Sequence, residues 1–174
     1  MVNHTAQSNE IAKIVETYRD SVLRLAYAYL KNRSDAEDIA QEVFIAYIKK
    51  SPSFRCKEKQ KAWLMKVTAN KCKNLLASAW KKRAAFLSED LAYMPNENAF
   101  VIEYVFSLEE KYRIPIHLFY YDGYSMKEIA DIMKEKPATI GTWLARGRQL
   151  LKTMIGDDFY EWLCHNKWLI FDEK

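Results

Sequence analysis

The chain has 174 residues, 49% of them hydrophobic and 14% aromatic, with four Gly and four Pro. This length suits one ordinary domain or two small ones, the apolar content excludes wholesale disorder, and so few turn residues favour an all-α fold. The net charge of +4 is modest, so any polyanion contact depends on where the charges gather.

No stretch approaches the roughly 18 consecutive apolar residues of a membrane span, and the N-terminus has no apolar signal core. No membrane insertion is expected. Cys56, Cys72 and Cys164 are far apart, and His4, His117 and His165 do not gather around them. This pattern predicts a reduced, cytoplasmic protein with no metal and no cofactor, its cysteines serving as packing or surface groups.

Ile11, Ile14, Val15, Tyr18, Val22, Leu25, Ala26 and Tyr29 recur at three and four, which predicts a helix over about residues 8–31. After a joint at Asn32 and Arg33, Ser34 with Glu37 has the spacing of a capping box. The helix that follows is expected to bury Ala36, Ile39, Ala40, Val43, Phe44, Tyr47 and Ile48. Ser51-Pro52 should end it, because the residue before Pro avoids the α region. Residues 53–58 read as a loop. A long helix follows over about 59–85, with Trp63, Leu64, Val67, Leu75, Leu76, Ala79 and Trp80 as its apolar stripe and Asn70 and Asn74 interrupting it. Residues 86–98 lack periodicity and read as an acidic linker.

A second helical unit begins near Ala99. Ser107 with Glu110 and Ser125 with Glu128 are two further capping boxes by spacing. Pro115 lies inside the first of these helices, where it costs about 3 kcal/mol, so a kink or a late start is expected. Asp122-Gly123 breaks the chain, and residues 157–174 form an aromatic tail with no assigned role.

Between Tyr124 and Lys152 the pattern is two short helices around a tight turn. Ile129, Ala130 and Met133 should pack inward, Lys134–Lys136 form the turn, and Pro137 suits the first position of the next helix. With Ile140 at zero and about 100° per residue, Leu144, Gly147 and Leu151 fall within about 40° of it. Ala138, Thr142, Ala145 and Gln149 fall opposite. Trp143 sits to one side, where half-buried packing is the plainer reading and a DNA contact the sharper one. Lys134, Lys136, Arg146, Arg148 and Lys152 supply phosphate-binding charge. The base-facing side chains are sparse, so such a pair anchors on duplex DNA more readily than it selects a sequence.

Charge is segregated elsewhere too. Residues 59–88 hold eight basic residues and no acid, residues 84–110 hold six acids and no base, and residues 35–42 hold four acids and no base. A polyanion site with a separate protein contact fits this division.

Taken in order, "SDAEDIAQEVFIAYIKK", "FRCKEKQKAWLMKVTANKCKNLL", the acidic segment and "SLEEKYRIPIHLFYYDGYSMKEIADIM…ATIGTWLARGRQLL" resemble sigma factors of the extracytoplasmic-function group of the sigma-70 family. The resemblance covers roughly Ile11 to Leu151. It implies a sigma-2-like three-helix bundle over 1–85, a linker over 86–98 and a sigma-4-like helix-turn-helix domain over 99–156. It implies a function in transcription initiation: directing core RNA polymerase to promoters and melting the −10 element. On this basis Asp35, Asp38, Gln41 and Glu42 dock on the polymerase clamp. Phe54, Arg55 and the loop to Gln60 capture an unstacked −10 base, and Lys59, Lys61, Trp63, Lys66, Asn70, Lys71 and Asn74 follow the separated strand. Lys136, Ala138, Thr139, Gly141, Thr142, Ala145, Arg146 and Arg148 meet the −35 duplex.

An acid-free helix beside aromatics agrees with single-strand binding, since bases stack and phosphates pair with Lys. For Trp63 and Trp80 taken individually, core packing is the plainer reading. The chain departs from the family in its recognition helix, where Gly141 and Trp143 replace basic residues, and at Lys134, where the turn Gly is usual. Ala77 also stands where a base is common. An anti-sigma protein is a candidate further partner. A helix-turn-helix regulator acting without polymerase, and a sigma-like interaction module without promoter activity, are the alternatives. An enzyme finds no support, since no phosphate loop or nucleophile–base set is apparent.

Overall fold

The computed structural model describes residues 2–82, 99–156 and 158–159, with side chains described from Asn9 to Ser78 and again from Val101. The predicted linker at 86–98, most of the tail, Cys164, and the side chains of Ala79 and Trp80 lie outside this set. The chain separates into two compact units, Met1–Glu89 and Asp90–Lys174.

Among the described residues the first unit has three helices, α1 (Val2–Leu30), α2 (Arg33–Lys50) and α3 (Lys57–Lys82), each packed on the other two. Helix α1 buries Ile14, Tyr18, Val22, Leu25, Ala26 and Tyr29 as its periodicity predicts, and Leu23, Tyr27 and Ala28 as well. Ile11 and Val15 are half-buried. So wide a buried arc follows from contact with two helices instead of one. Lys31 then turns left-handed at φ 53° and its N–H donates to the Tyr27 carbonyl at 2.8 Å, which ends the helix.

Asn32, not Ser34, caps α2. Asn32 is extended (φ −134°, ψ 125°) and its side chain accepts from the Asp35 N–H at 3.0 Å, so Ser34 is already helical. Two cap-forming residues stood close together, and the one with the non-helical backbone took the role. Ala36, Ile39, Ala40, Val43, Phe44 and Tyr47 are buried as expected, whereas Ile48 is 46% exposed. At 100° per residue Ile48 points about 110° away from the centre of the buried set. The Ser51-Pro52 boundary is where it was predicted, with Ser51 left-handed at φ 42°.

The stripe on α3 is displaced from the predicted one. Leu64, Met65, Thr68, Ala69 and Cys72 are buried, while Trp63, Val67, Leu75 and Leu76 are only half-buried. Thr68 can enter the core because its hydroxyl donates to the Leu64 carbonyl at 2.8 Å.

The second unit contains α4 (Ala99–Ser107), α5 (Glu110–Ile116), a π turn (His117–Tyr121), α6 (Met126–Met133) and α7 (Pro137–Ile155). The capping box predicted at Ser107 and Glu110 does not form. Ser107 ends α4, its hydroxyl donating to the Tyr104 carbonyl at 2.7 Å, and Glu109 occupies the N-cap of α5 without a side-chain bond. Pro115 does not sit at a late helix start: it lies inside α5, more than one turn past Glu110, and the α-helical pattern gives way to a π turn at His117, two residues beyond it. The π turn then carries the chain to Gly123, which is left-handed at φ 74°.

The Ser125–Glu128 capping box is complete: the Ser125 N–H donates to Glu128 at 2.9 Å and the Glu128 N–H donates back to Ser125 Oγ at 3.4 Å. Lys134, at the turn position where Gly is usual, takes φ 60° itself. Helix α7 packs on both α5 and α6, and its Ile140, Leu144, Gly147 and Leu151 are buried. Gly147 is needed for this approach. A Cβ there would lie 3.1 Å from Ile116 Cγ1 and 3.5 Å from Tyr112 Cβ. Gly147→Leu is therefore expected to destabilise the second unit by about 1–3 kcal/mol through overpacking, read as an earlier thermal transition. An unchanged transition temperature would show that α5 can move away.

Candidate nucleic-acid and protein interfaces

The first candidate surface is the outer side of α2. Asp35, Asp38, Gln41 and Glu42 are all exposed there. They do not form a purely polar face, because Ile45 (48% exposed) and Ile48 stand among them. Arg19, Leu23 and Val15 of α1 complete a groove of about 470 Å³ with Glu37, Gln41, Phe44, Ile45 and Ile48. Sequence reasoning placed Ile48 in the core and overlooked Ile45, although the helical phase of both residues already pointed outward.

Glu42 also turns toward α3. Its Oε2 accepts from Lys71 Nζ at 2.5 Å, which links a predicted polymerase contact to a predicted strand contact across 29 residues of sequence. The pair is exposed enough to contribute about 1 kcal/mol or less.

The second surface lies where the 51–56 loop enters α3. Phe54 stacks on Tyr47 with centroids 6.5 Å apart, Trp63 meets Tyr47 edge-on at 5.8 Å, and Phe54 and Trp63 are 6.1 Å apart. Gln60 Nε2 donates to the Tyr47 hydroxyl at 2.8 Å, fixing the loop end against α2. Tyr47 was read from periodicity as core alone; it is buried, yet it forms the floor of this cluster. Phe54 and Trp63 remain half-buried, so their outer portions offer stacking area.

The neighbouring electrostatics are settled locally. The Glu58 carboxylate is held below its ordinary value by the N–H of its own residue, then by the Cys56 side chain and Lys57. Burial, then the Glu58 charge and Tyr47, pushes the Tyr18 phenol up.

Along α3, Trp63, Lys66, Asn70 and Asn74 fall within about 80° of one another on the outer side, and Lys59 extends the same face. Lys61 is half-buried near the helix start, and Arg55 is exposed on the loop. Lys71 lies apart from this face, toward α2. The structure thus brings together most, but not all, of the residues expected to follow a strand.

The third surface is the outer face of α7. Lys136, Ala138, Thr142, Ala145 and Arg146 are exposed, and Thr139, Gly141 and Arg148 are half-buried. Trp143 is half-buried, as the packing reading has it. Arg146 Nη1 donates to Gln149 Oε1 at 2.9 Å. A Cβ at Gly141 would sit 3.6 Å from Met126 Sδ, an ordinary contact, so a side chain is sterically possible there. Met126 itself is 48% exposed. No cluster of metal-binding side chains occurs among the described residues, and no described helix is long and apolar enough to cross a membrane.

Residues 14–82 match the family model for sigma-70 region 2, and residues 102–151 match that for sigma-70 region 4. The ECF RNA polymerase sigma factor SigW of Bacillus subtilis is 29% identical over 168 residues, covering 84% of this chain and 89% of SigW. SigM of the same organism, also an ECF RNA polymerase sigma factor, is 28% identical over 157 residues, covering 83% of this chain and 94% of SigM. Among solved structures, the sigma factor RpoE of Bartonella quintana, crystallised with the anti-sigma factor NepR, superposes with a TM-score of 0.69 at 18% identity over 86% of this chain and 98% of RpoE. The last likeness supports the fold. With regions 2 and 4 both present, in order, on the two helical units, the chain belongs to the extracytoplasmic-function group of sigma-70 family RNA polymerase sigma factors.

Proposed function

We propose that this sigma factor, whose partners are core RNA polymerase and promoter DNA, divides its work among three surfaces on two domains, 1–85 and 99–156, joined by an acidic linker. Asp35, Asp38, Gln41 and Glu42 dock on the polymerase clamp, and Ile45 and Ile48 add apolar area to the same interface. Phe54 and Arg55 hold an unstacked −10 base beside Trp63. Lys59, Lys66, Asn70 and Asn74 follow the opened strand along one face of α3, and Lys61 and Lys71 add positive charge to either side of it. Lys136, Ala138, Thr139, Gly141, Thr142, Ala145, Arg146 and Arg148 meet the −35 duplex.

The aromatic cluster at the loop–α3 junction, directly beside a helix free of acids from Lys59 onward, carries this reading. Neither a stand-alone helix-turn-helix regulator nor an enzyme has a use for it. The chain acts in the cytoplasm, without cofactor or catalysis of its own. RpoE's complex with NepR supports an anti-sigma protein as a regulator here.

Run-off transcription with purified core polymerase on a genomic promoter library tests the proposal. Transcripts that depend on the chain and share a −10 and a −35 element are expected. Stable polymerase binding with no chain-dependent transcript would instead assign an interaction module.

The isolated chain should bind duplex DNA weakly. Its recognition helix offers small side chains at Ala138, Gly141 and Ala145, and selectivity arises when polymerase holds both DNA sites together at high effective concentration. Fluorescence anisotropy at physiological salt should show little preference for promoter over random duplex until polymerase is added. Tight, selective binding by the isolated chain would refute this.

A further inference from the structure

The N-terminal part of a recognition helix is the part that meets base edges in the major groove. On α7 that part presents Ala138, Thr142 and Ala145, all exposed. Their spacing sets them in one strip about 10 Å long, close to three base-pair steps.

Thr142 is polar by composition, but its hydroxyl donates to the Ala138 carbonyl at 3.0 Å. Its one hydroxyl hydrogen is therefore engaged within the helix, and the γ-methyl is the group left without a hydrogen-bonding role. On the Gly141 side the next neighbour is again apolar, the exposed Met126 thioether. Farther along, Arg146 Nη1 donates to Gln149 Oε1 at 2.9 Å. This engages one of the two lone pairs of the Gln149 carbonyl, the atom that a two-point contact to adenine would also use, and ties the amide to Arg146. The guanidinium keeps further N–H donors, which suit O6 and N7 of guanine.

On the promoter-binding reading above, we infer that this chain selects its −35 element through thymine methyl groups, which Ala138, Thr142 and Ala145 contact, together with one guanine read by Arg146 and held in register by Gln149. Thymine is the one base with a methyl in the major groove, so an apolar strip discriminates where hydrogen-bonding side chains are missing. Each methyl removed from water in this way is worth about fourfold in affinity.

The holoenzyme of full-length chain and core polymerase first selects its −35 element from a randomised promoter pool. Binding is then measured on the selected promoter with single −35 thymines replaced by deoxyuracil, which deletes only the methyl group. A loss of about fourfold is expected at each of two or three thymines, and none when thymines outside both promoter elements are replaced.

Two variants separate methyl from hydroxyl. Thr142→Ser keeps the hydroxyl and should lose thymine-over-uracil discrimination at one position, whereas Thr142→Val keeps a methyl and should retain it. Thr142 is exposed, so neither variant affects folding much. A selected element without thymine, indifference to uracil, or discrimination that follows the hydroxyl overturns the inference alone. A holoenzyme that transcribes from no promoter overturns the functional reading as well, and the absence of transcripts from every template identifies that case.

Discussion

Replacing Asp38 and Glu42 together by arginine is expected to abolish association with core RNA polymerase while leaving the helical fold intact. Both carboxylates are on the exposed side of α2, and neither supports a buried group. The Glu42→Arg change sets a positive charge against Lys71, whose amine Glu42 now accepts. Because that pair is solvent-exposed, its loss costs the fold about 1 kcal/mol or less. At a docked interface the account differs. Like charges brought together across an interface cost several kcal/mol, and each 1.4 kcal/mol is a factor of about ten. Two reversals therefore lower polymerase affinity by about a thousandfold or more. Co-purification with core polymerase, together with circular dichroism, measures both halves of the prediction. Glu42→Gln serves as the control: it removes the Lys71 ion pair without reversing charge, and should weaken association far less. Retained polymerase binding by the double variant, with a native spectrum, would place the interface elsewhere.

The second large effect is expected in strand opening. Asn70→Ala with Lys71→Ala should impair melting on a closed promoter and be partly rescued on a template already opened at −10. These residues offer hydrogen bonds and charge to a separated strand, and opening the DNA in advance removes the step they assist. Arg146→Ala should behave in the opposite way. It weakens duplex recruitment by about 1–3 kcal/mol through loss of a base contact, and pre-melting leaves its −35 selectivity impaired. Permanganate footprinting and binding on both templates distinguish the two. If the variants share one pattern of melting and rescue, the division of labour between α3 and α7 is wrong. Lys71 has a second role to separate, since its loss also leaves Glu42 without its ion pair. Asn70→Ala alone, which does not touch that pair, should show the same rescue more weakly.

The sequence by itself determined the all-α class, the order of the motifs and the phase of the recognition helix. Ile140, Leu144, Gly147 and Leu151 are buried, and Ala138, Thr142, Ala145 and Gln149 are exposed, as 3.6-residue periodicity requires. The Ser125–Glu128 cap was equally legible, because both partners lie within one turn and no nearby residue competes. Tertiary structure decided what local spacing leaves open. Asn32 and Ser34 both had suitable side chains, and the path of the chain out of α1 chose which one is extended. Ser107 had the spacing of a cap, but its backbone had already been taken up as the end of α4. On α3 the buried stripe is turned toward Leu64, Met65, Thr68 and Cys72, since two packing partners, not the hydrophobicity of Trp63 or Val67, define the covered face. The Tyr47–Phe54–Trp63 cluster and the Glu42–Lys71 pair join residues of different elements. A helical repeat fixes direction within one element, but contact between elements depends on where the connecting loops place each axis.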